Sequence, residues 1–97
     1  MTFEWDEAKN HANIRKHGFD CADAEQMFAG VIITTPDVGH DYAERRCKGI
    51  GMIRGRTVAI IFAERGDNII RIISLRKADH EERQEYEKAI QNGLEAY

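Results

Sequence analysis

The residues best suited to chemistry in this sequence are cations at the ends of apolar strands. Arg76 and Lys77 close the β-branched run 69–77, and Arg65 follows the apolar run 58–63. Ammonium and guanidinium groups bind phosphate oxygens, and Arg also matches them with two parallel N–H donors. A buried strand rarely ends in two cations unless the rim of its sheet faces negative charge or solvent. The pattern therefore indicates an anion-binding rim.

The distribution of charge supports the same interpretation. Segment 44–78 carries nine Lys and Arg against three Asp and Glu, a net charge of +6. Segments 1–43 and 79–97 carry −5 and −4, so the total of −3 hides a basic centre between acidic ends. A basic surface concentrated on a sheet is typical of proteins that meet phosphate groups, including those of nucleic acids.

Composition excludes several classes of protein. With 97 residues, 42% hydrophobic and 32% charged, we expect one globular domain spanning 1–97. The longest apolar run, 58–63, is far shorter than the roughly 20 residues of a membrane span. No basic and apolar leader opens the sequence, so we expect a cytoplasmic protein. Cys21 and Cys47 are expected to be free thiols, and neither lies in metal-ligand spacing, so no metal or cofactor is predicted.

Local signals predict three helices and five strands. The helices are 7–17 between Asp6 and Gly18, 21–29 between Asp20 and Gly30, and one opened by the capping box Asp79-x-x-Glu82. The strands are predicted at 2–5, 31–35, 44–53, 57–63 and 69–77, with a polar loop at 37–43. Gly49 and Gly51 inside the third strand indicate a bulge or a close backbone approach.

This order of elements predicts an α+β fold. Short turns between the later strands favour antiparallel pairing, in a mainly antiparallel sheet of four or five strands with all helices on one face. If 57–65 and 69–77 form a hairpin, Arg65 and Arg76 lie at opposite rims, about 25–30 Å apart. Strand alternation predicts that Arg76 faces away from Arg71 and Lys77.

Two motifs resemble the signatures of a known family. The first is Phe3-Glu-Trp-Asp-Glu-Ala-Lys9 with Asn13 and Lys16-His17-Gly18, and the second is Arg71-Ile-Ile-Ser-Leu-Arg-Lys-Ala with Glu82-Arg83-x-x-Tyr86-Glu87. They look like the opening and closing signatures of the BrnT toxins of type II toxin–antitoxin systems, and the resemblance covers roughly residues 2–90. It implies a compact RelE-like fold and a metal-independent endoribonuclease that inhibits translation. It also implies a BrnA-type antitoxin. The toxin–antitoxin complex is then expected to bind operator DNA only through that antitoxin.

Metal-free RNA cleavage needs a base for the 2′-hydroxyl, a cation for the phosphorane and an acid for the leaving oxygen. The resemblance favours Arg76 and Lys77 for phosphate binding and charge stabilisation. Arg65, Tyr86 and His17 complete the candidate catalytic set. The candidate substrate-binding residues are Lys16, Arg54, Arg56, Arg71, His80 and Arg83.

Each of these assignments has a plainer alternative. Tyr86 shares a helical stripe with Ile90 and Leu94, which favours a place in the core. His17 lies in the last turn of a helix, where a cation stabilises the helix dipole without any catalytic role. For the whole chain, the alternative is a non-enzymatic module whose basic sheet binds nucleic acid or an acidic protein.

Overall fold

The computed structural model describes residues 1–37 and 45–95, with side chains described as far as residue 93. The helices are α1 (Glu7–His17), a 3₁₀ turn (Cys21–Ala24) that continues into α2 (Glu25–Ala29), and α3 (His80–Glu95). The strands are β1 (Thr2–Glu4), β2 (Ile33–Pro36), β3 (Arg46–Ile53), β4 (Arg56–Arg65) and β5 (Ile69–Lys77). Residues 38–43 of the predicted loop 37–43, the first residue of the predicted strand 44–53 and the Leu94 side chain lie outside the described residues.

The strands form one five-stranded sheet in the order β1-β5-β4-β3-β2. Neighbours pair antiparallel except β1, which lies parallel to β5 at the edge of the sheet. The prediction of an α+β domain with a mainly antiparallel sheet, two N-terminal helices and one C-terminal helix is confirmed. None of the helices in the described ranges is long and apolar enough to cross a membrane.

The ends of α1 have the structures that its sequence predicts. The Asp6 carboxylate accepts a hydrogen bond from the Lys9 backbone N–H at 3.0 Å. At the other end Gly18 adopts φ 79°, and its N–H donates to the Ile14 carbonyl. A positive φ favours glycine because it has no Cβ to clash with the backbone. Both caps satisfy helical backbone groups that otherwise lack partners.

One face of the sheet packs against α1 and α2 to form the main core. Phe19 and Met27 are buried there together with Ile60 and Leu75. A Cβ added at Gly49 would lie 2.9 Å from Ile60 and also from Ile32, so only glycine lets these side chains reach the backbone. The close approach predicted for this strand is therefore confirmed at Gly49.

The opposite face of the sheet is covered in part by α3. Leu75 points into the main core, and its neighbour Arg76 points the other way and binds Glu82 of α3. Ile50 and Ala59, which share the face of Arg76, are buried. The expectation that all helices pack on one face is wrong, because the basic end of β5 and the first turn of α3 form an ion pair across the second face.

A β-bulge in β5 decides which side chains share that second face. Ile61 of β4 pairs with Ser74, but the next residue of β4 pairs with Ile72, so Ile73 is an extra residue. An inserted residue reverses the alternation of side chains beyond it. Arg71 therefore lies on the same face as Arg76, and the prediction from simple alternation is wrong.

Candidate functional site

A row of side chains crosses four strands on the second face of the sheet. Glu4 pairs with Arg71, Arg71 with Ala63, and Ala63 with Arg46, so all four residues point to the same side. Neighbouring strands lie about 4.8 Å apart, which places the Cα atoms of the two arginines about 10 Å apart. Buried Ala63 stands between them in the row. The row is thus a carboxylate followed by two guanidinium groups that flank a small residue.

Arg65 adds a second guanidinium group beside Glu4. It lies two residues beyond Ala63 on β4 and so on the same face. Oε1 of Glu4 lies 3.6 Å from Nη1 of Arg71 and 3.7 Å from Nη1 of Arg65. Both contacts are ion pairs too long for hydrogen bonds. The Glu4 side chain is 39% exposed, so the carboxylate stays in reach of solvent.

The three arginines open onto a cleft of about 240 Å³ between the sheet and α1. Trp5, Asp6 and Lys9 form the side of the cleft that belongs to α1 and the residues before it, while the bulged segment Ile72–Ile73 belongs to the sheet side. Hydrogen bonding from the Lys9 backbone, aided by the charges of Lys9 and Arg71, lowers the pKa of the Asp6 carboxyl. The cleft therefore concentrates cations at the edge of the basic face.

Two asparagines hold α1 in place against this cleft. Buried Asn10 donates to the Asp20 carboxylate at 3.0 Å and accepts from the Cys21 backbone at 2.9 Å. Asn13 donates to the Phe19 carbonyl and accepts from the Leu75 backbone N–H on the edge of β5. Because β1 pairs only with residues 69–71, α1 takes over the edge of β5 where β1 ends. The helix and sheet walls of the cleft are thereby fixed to each other.

The other end of the same face contains a closed ion network. Arg76 makes a two-point contact with Glu82, at 2.7 Å and 3.0 Å, and Nζ of Lys48 lies 2.7 Å from the same carboxylate. Glu82 also accepts from the Asp79 N–H, which completes the capping box. These partners, Arg76 first, lower the pKa of Glu82 to about 2. The Arg76 guanidinium is thus already bound by a buried carboxylate.

The two arginine-bearing rims are separated as the sequence predicts. Arg65 pairs with Ile69 at one end of the hairpin, and Val58 pairs with Lys77 at the other. Seven residues of strand lie between these pairs, about 23 Å. Of the predicted site residues, the structure therefore brings together Arg65 and Arg71, and it places Arg76 and Lys77 at the far rim.

The remaining cations at the far rim contact the helices or lie at the surface. Arg54 lies 3.2 Å from the Asp23 carboxylate, and the Arg56 guanidinium lies 4.8 Å from the centre of the Phe19 ring. Arg83 donates to the Ala78 carbonyl at 3.0 Å. The Lys77 and His80 side chains are exposed. The contacts of the three arginines join the turn before β4 and the start of α3 to the rest of the domain.

Three further predicted site residues lie away from the cleft. Lys16 and His17 occupy the last turn of α1, beyond the part of the helix that lines the cleft. Tyr86 is 4% exposed, and its hydroxyl donates to the Val31 carbonyl at 2.7 Å. Burial raises the pKa of this phenol. The core position that its helical stripe indicates is confirmed, and its catalytic role stays a prediction.

Cys21 and Cys47 are both free thiols. Burial raises the pKa of Cys21 to about 11, so it is a packing residue rather than a nucleophile. Within residues 1–37 and 45–95, no three His, Cys, Asp or Glu side chains are grouped closely enough to hold a metal ion.

Sequence reasoning missed Glu4, which contacts Arg65 and Arg71, and, among the residues that line the cleft, Arg46 and Lys9. Glu4 lies between the apolar residues Phe3 and Trp5, so alternation already turns it away from the core. Nothing local indicates that its strand pairs with β5, and hence that Glu4 meets Arg71. In the sequence, Arg46 stands out only as part of the basic segment. Lys9 stands out only as a polar residue on the surface of a predicted helix.

Comparison with known proteins identifies a matching family and a similar solved structure. A family model described as the ribonuclease toxin BrnT of type II toxin–antitoxin systems matches residues 5–82. The chain is also similar to the crystal structure of the Brucella abortus ribonuclease toxin BrnT, with 34% sequence identity and a TM-score of 0.61. That alignment covers 82% of this chain and 99% of the other. A search of curated proteins gave no significant match.

Proposed function

The chain belongs to the BrnT family of ribonuclease toxins of type II toxin–antitoxin systems, and on this premise we propose that it is a metal-independent endoribonuclease. The observation that carries the proposal is the row Glu4–Arg71–Ala63–Arg46 with Arg65 beside it. We assign the scissile phosphate to the cleft that Arg46, Arg65 and Arg71 line. There the guanidinium groups bind its oxygens and stabilise the additional negative charge of the phosphorane.

The cleft is favoured over the Arg76–Lys77 rim because of what each arginine already binds. Arg76 has two hydrogen bonds to Glu82, a carboxylate that is 4% exposed, so phosphate would have to compete with a buried partner. Arg71 meets Glu4 only at ion-pair distance, 3.6 Å, and its side chain is 32% exposed. A phosphate entering the cleft can therefore bind the Arg71 guanidinium without breaking a hydrogen bond to Glu4.

Trp5 and Lys9 extend this site toward the rest of the substrate. An indole at the wall of a basic cleft offers a surface on which a base can stack, and an ammonium group can bind a neighbouring phosphate. Single-stranded RNA is the substrate class that combines exposed bases with a phosphate backbone. Membership of the family implies an antitoxin partner. We propose that this partner is of the BrnA type and that the toxin–antitoxin complex is cytoplasmic. The antitoxin then provides the complex's binding to operator DNA.

The experiment is single-turnover cleavage of RNA in the presence of EDTA. We expect the parent to cleave, and Arg71→Gln to cleave about 10²–10³-fold more slowly, since it loses one donor that stabilises developing charge. Arg15→Gln is the matched control, because Arg15 is exposed on α1 and the substitution makes the same change of charge away from the cleft. Its rate should equal that of the parent.

Two results would contradict the proposal. If Arg71→Gln cleaves like the parent, the phosphate lies elsewhere, and the Arg76–Lys77 rim becomes the better assignment. If the parent neither cleaves RNA nor arrests a translating extract, the chain is a binding module that uses its basic sheet without catalysis.

A further inference from the structure

The second face of the sheet holds two glutamates among arginines, and their environments are opposite. Glu82 is 4% exposed and is bound by Arg76, by Lys48 and by a backbone N–H. Glu4 is 39% exposed, and its contacts with Arg65 and Arg71 are 3.7 Å and 3.6 Å long. The first carboxylate has the setting of a structural ion pair. The second is held near two arginines by charge, at distances too long for hydrogen bonds, and stays partly exposed to solvent.

We propose that Glu4 is the general base of the reaction, a proposal that rests on the ribonuclease function above. Its position follows from the sheet: β1 is parallel to β5, so Glu4 stands directly beside Arg71 in the row. Glu4 contacts both guanidinium groups that we propose bind the phosphate, so the ribose linked to that phosphate can approach its carboxylate. A general base must come within about 3 Å of the proton that it takes, and a partly exposed side chain can rotate to do so.

The chemical step is an internal transesterification. The Glu4 carboxylate takes the proton of the 2′-hydroxyl, and the 2′-oxygen forms a bond to phosphorus. The bond between phosphorus and the 5′-oxygen breaks, and the leaving oxygen takes a proton from water at the exposed rim. The products are a 2′,3′-cyclic phosphate and a 5′-hydroxyl, and the Glu4 carboxylic acid returns its proton to solvent.

The competing role for Glu4 is that of a counter-ion. In that role its negative charge offsets the positive charge of two arginines and weakens their binding to anions from solvent. The two roles predict opposite effects of Glu4→Gln. A counter-ion opposes phosphate binding, so its neutralisation strengthens RNA binding and leaves cleavage equal or faster. A base is needed for the chemical step, so its loss slows cleavage even when RNA is bound more tightly.

The test uses Glu4→Gln with Glu64→Gln as the matched control. Glu64 is exposed and precedes Arg65 on β4, so it points to the opposite face, and the two variants change net charge equally. Affinity is measured with an oligonucleotide that carries a 2′-deoxy group at the cleavage position. The rate is measured in single turnover with the all-RNA oligonucleotide, across a series of pH values.

We expect Glu4→Gln to keep or raise affinity and to slow cleavage about 10²–10⁴-fold, the usual contribution of a general base. It should also lose the acid limb of the pH–rate profile, in which the parent's rate rises as the base deprotonates. Glu4→Asp, which keeps the carboxylate, should recover part of the rate, and Glu64→Gln should match the parent.

The outcomes separate the two proposals. If the parent cleaves and Glu4→Gln cleaves at the same rate with the same acid limb, Glu4 is not the base, although the ribonuclease function stands. If cleavage falls only because affinity falls, Glu4 merely positions the arginines and the proposal is overturned. A parent that neither cleaves RNA nor arrests a translating extract overturns both.

Discussion

Arg76→Ala tests whether the most conspicuous cation of the sequence is structural or catalytic. The change removes both hydrogen bonds to Glu82 and leaves a carboxylate that is 4% exposed. Removing one partner of a fully buried pair costs about 3–5 kcal/mol. Here Lys48 and the Asp79 N–H still bind Glu82, and 39% of the Arg76 side chain is exposed, so we expect about 2 kcal/mol.

For a domain of this size, about 2 kcal/mol corresponds to a fall in Tm of about 8–16 °C. Thermal unfolding followed by circular dichroism at pH 7 measures it. Lys77→Ala is the control, because the neighbouring side chain is exposed and its loss should change stability by less than about 0.5 kcal/mol. In single-turnover cleavage well below the unfolding midpoint, both variants should stay within a few-fold of the parent.

One pair of results would show that Arg76 is catalytic rather than structural. If Arg76→Ala keeps the parent's Tm and loses cleavage by two orders of magnitude, the guanidinium serves the substrate rather than Glu82. The phosphate site would then lie at the far rim, where the sequence motif first placed it.

Two further predictions concern α3. The pKa of Glu82, lowered to about 2 chiefly by Arg76, lies below an unfolded value of about 4.3, so its ionised form stabilises the native state above that value. That contribution, at most about 3 kcal/mol, should disappear as pH falls from about 4 to about 2, and urea unfolding of Glu82→Gln should lack this dependence. Tyr86→Phe removes the hydrogen bond to Val31 and should lower stability by about 1 kcal/mol with cleavage unchanged. Lost cleavage at unchanged stability would instead place the hydroxyl in the site.

Much of the fold could be predicted because its elements are delimited by local chemistry. Asp6 and Gly18 enclose α1, and the capping box of Asp79 and Glu82 opens α3, as their spacing indicates. The strand 69–77 has the bounds of β5. A cap satisfies backbone groups within about four residues, so the sequence contains all the information that the cap requires.

The site was predicted less completely because it depends on which distant residues meet. The sequence singled out Arg65 and Arg71 among the candidate site residues, and the structure places both beside the cleft. Glu4 joins them only because β1 lies parallel to β5, a pairing between residues more than sixty positions apart. Such a pairing is decided by burial of the Phe3 side of the strand, not by any signal near Glu4.

The sequence by itself determined the family, the elements and the presence of a basic sheet, since motifs, caps and charge are properties of the chain. Only the tertiary structure decided which cations lie together at the cleft and which carboxylates they contact. The bulge at Ile73 turns Arg71 onto the face of Arg76, and the sequence does not show which of the adjacent residues Ile72 and Ile73 is the extra one. Glu82, which the sequence shows as one acid in a charged helix, folds back onto Arg76 and binds its guanidinium group. Register and ion pairing are long-range outcomes of packing, and they are the reason that we propose the cleft rather than the Arg76–Lys77 rim.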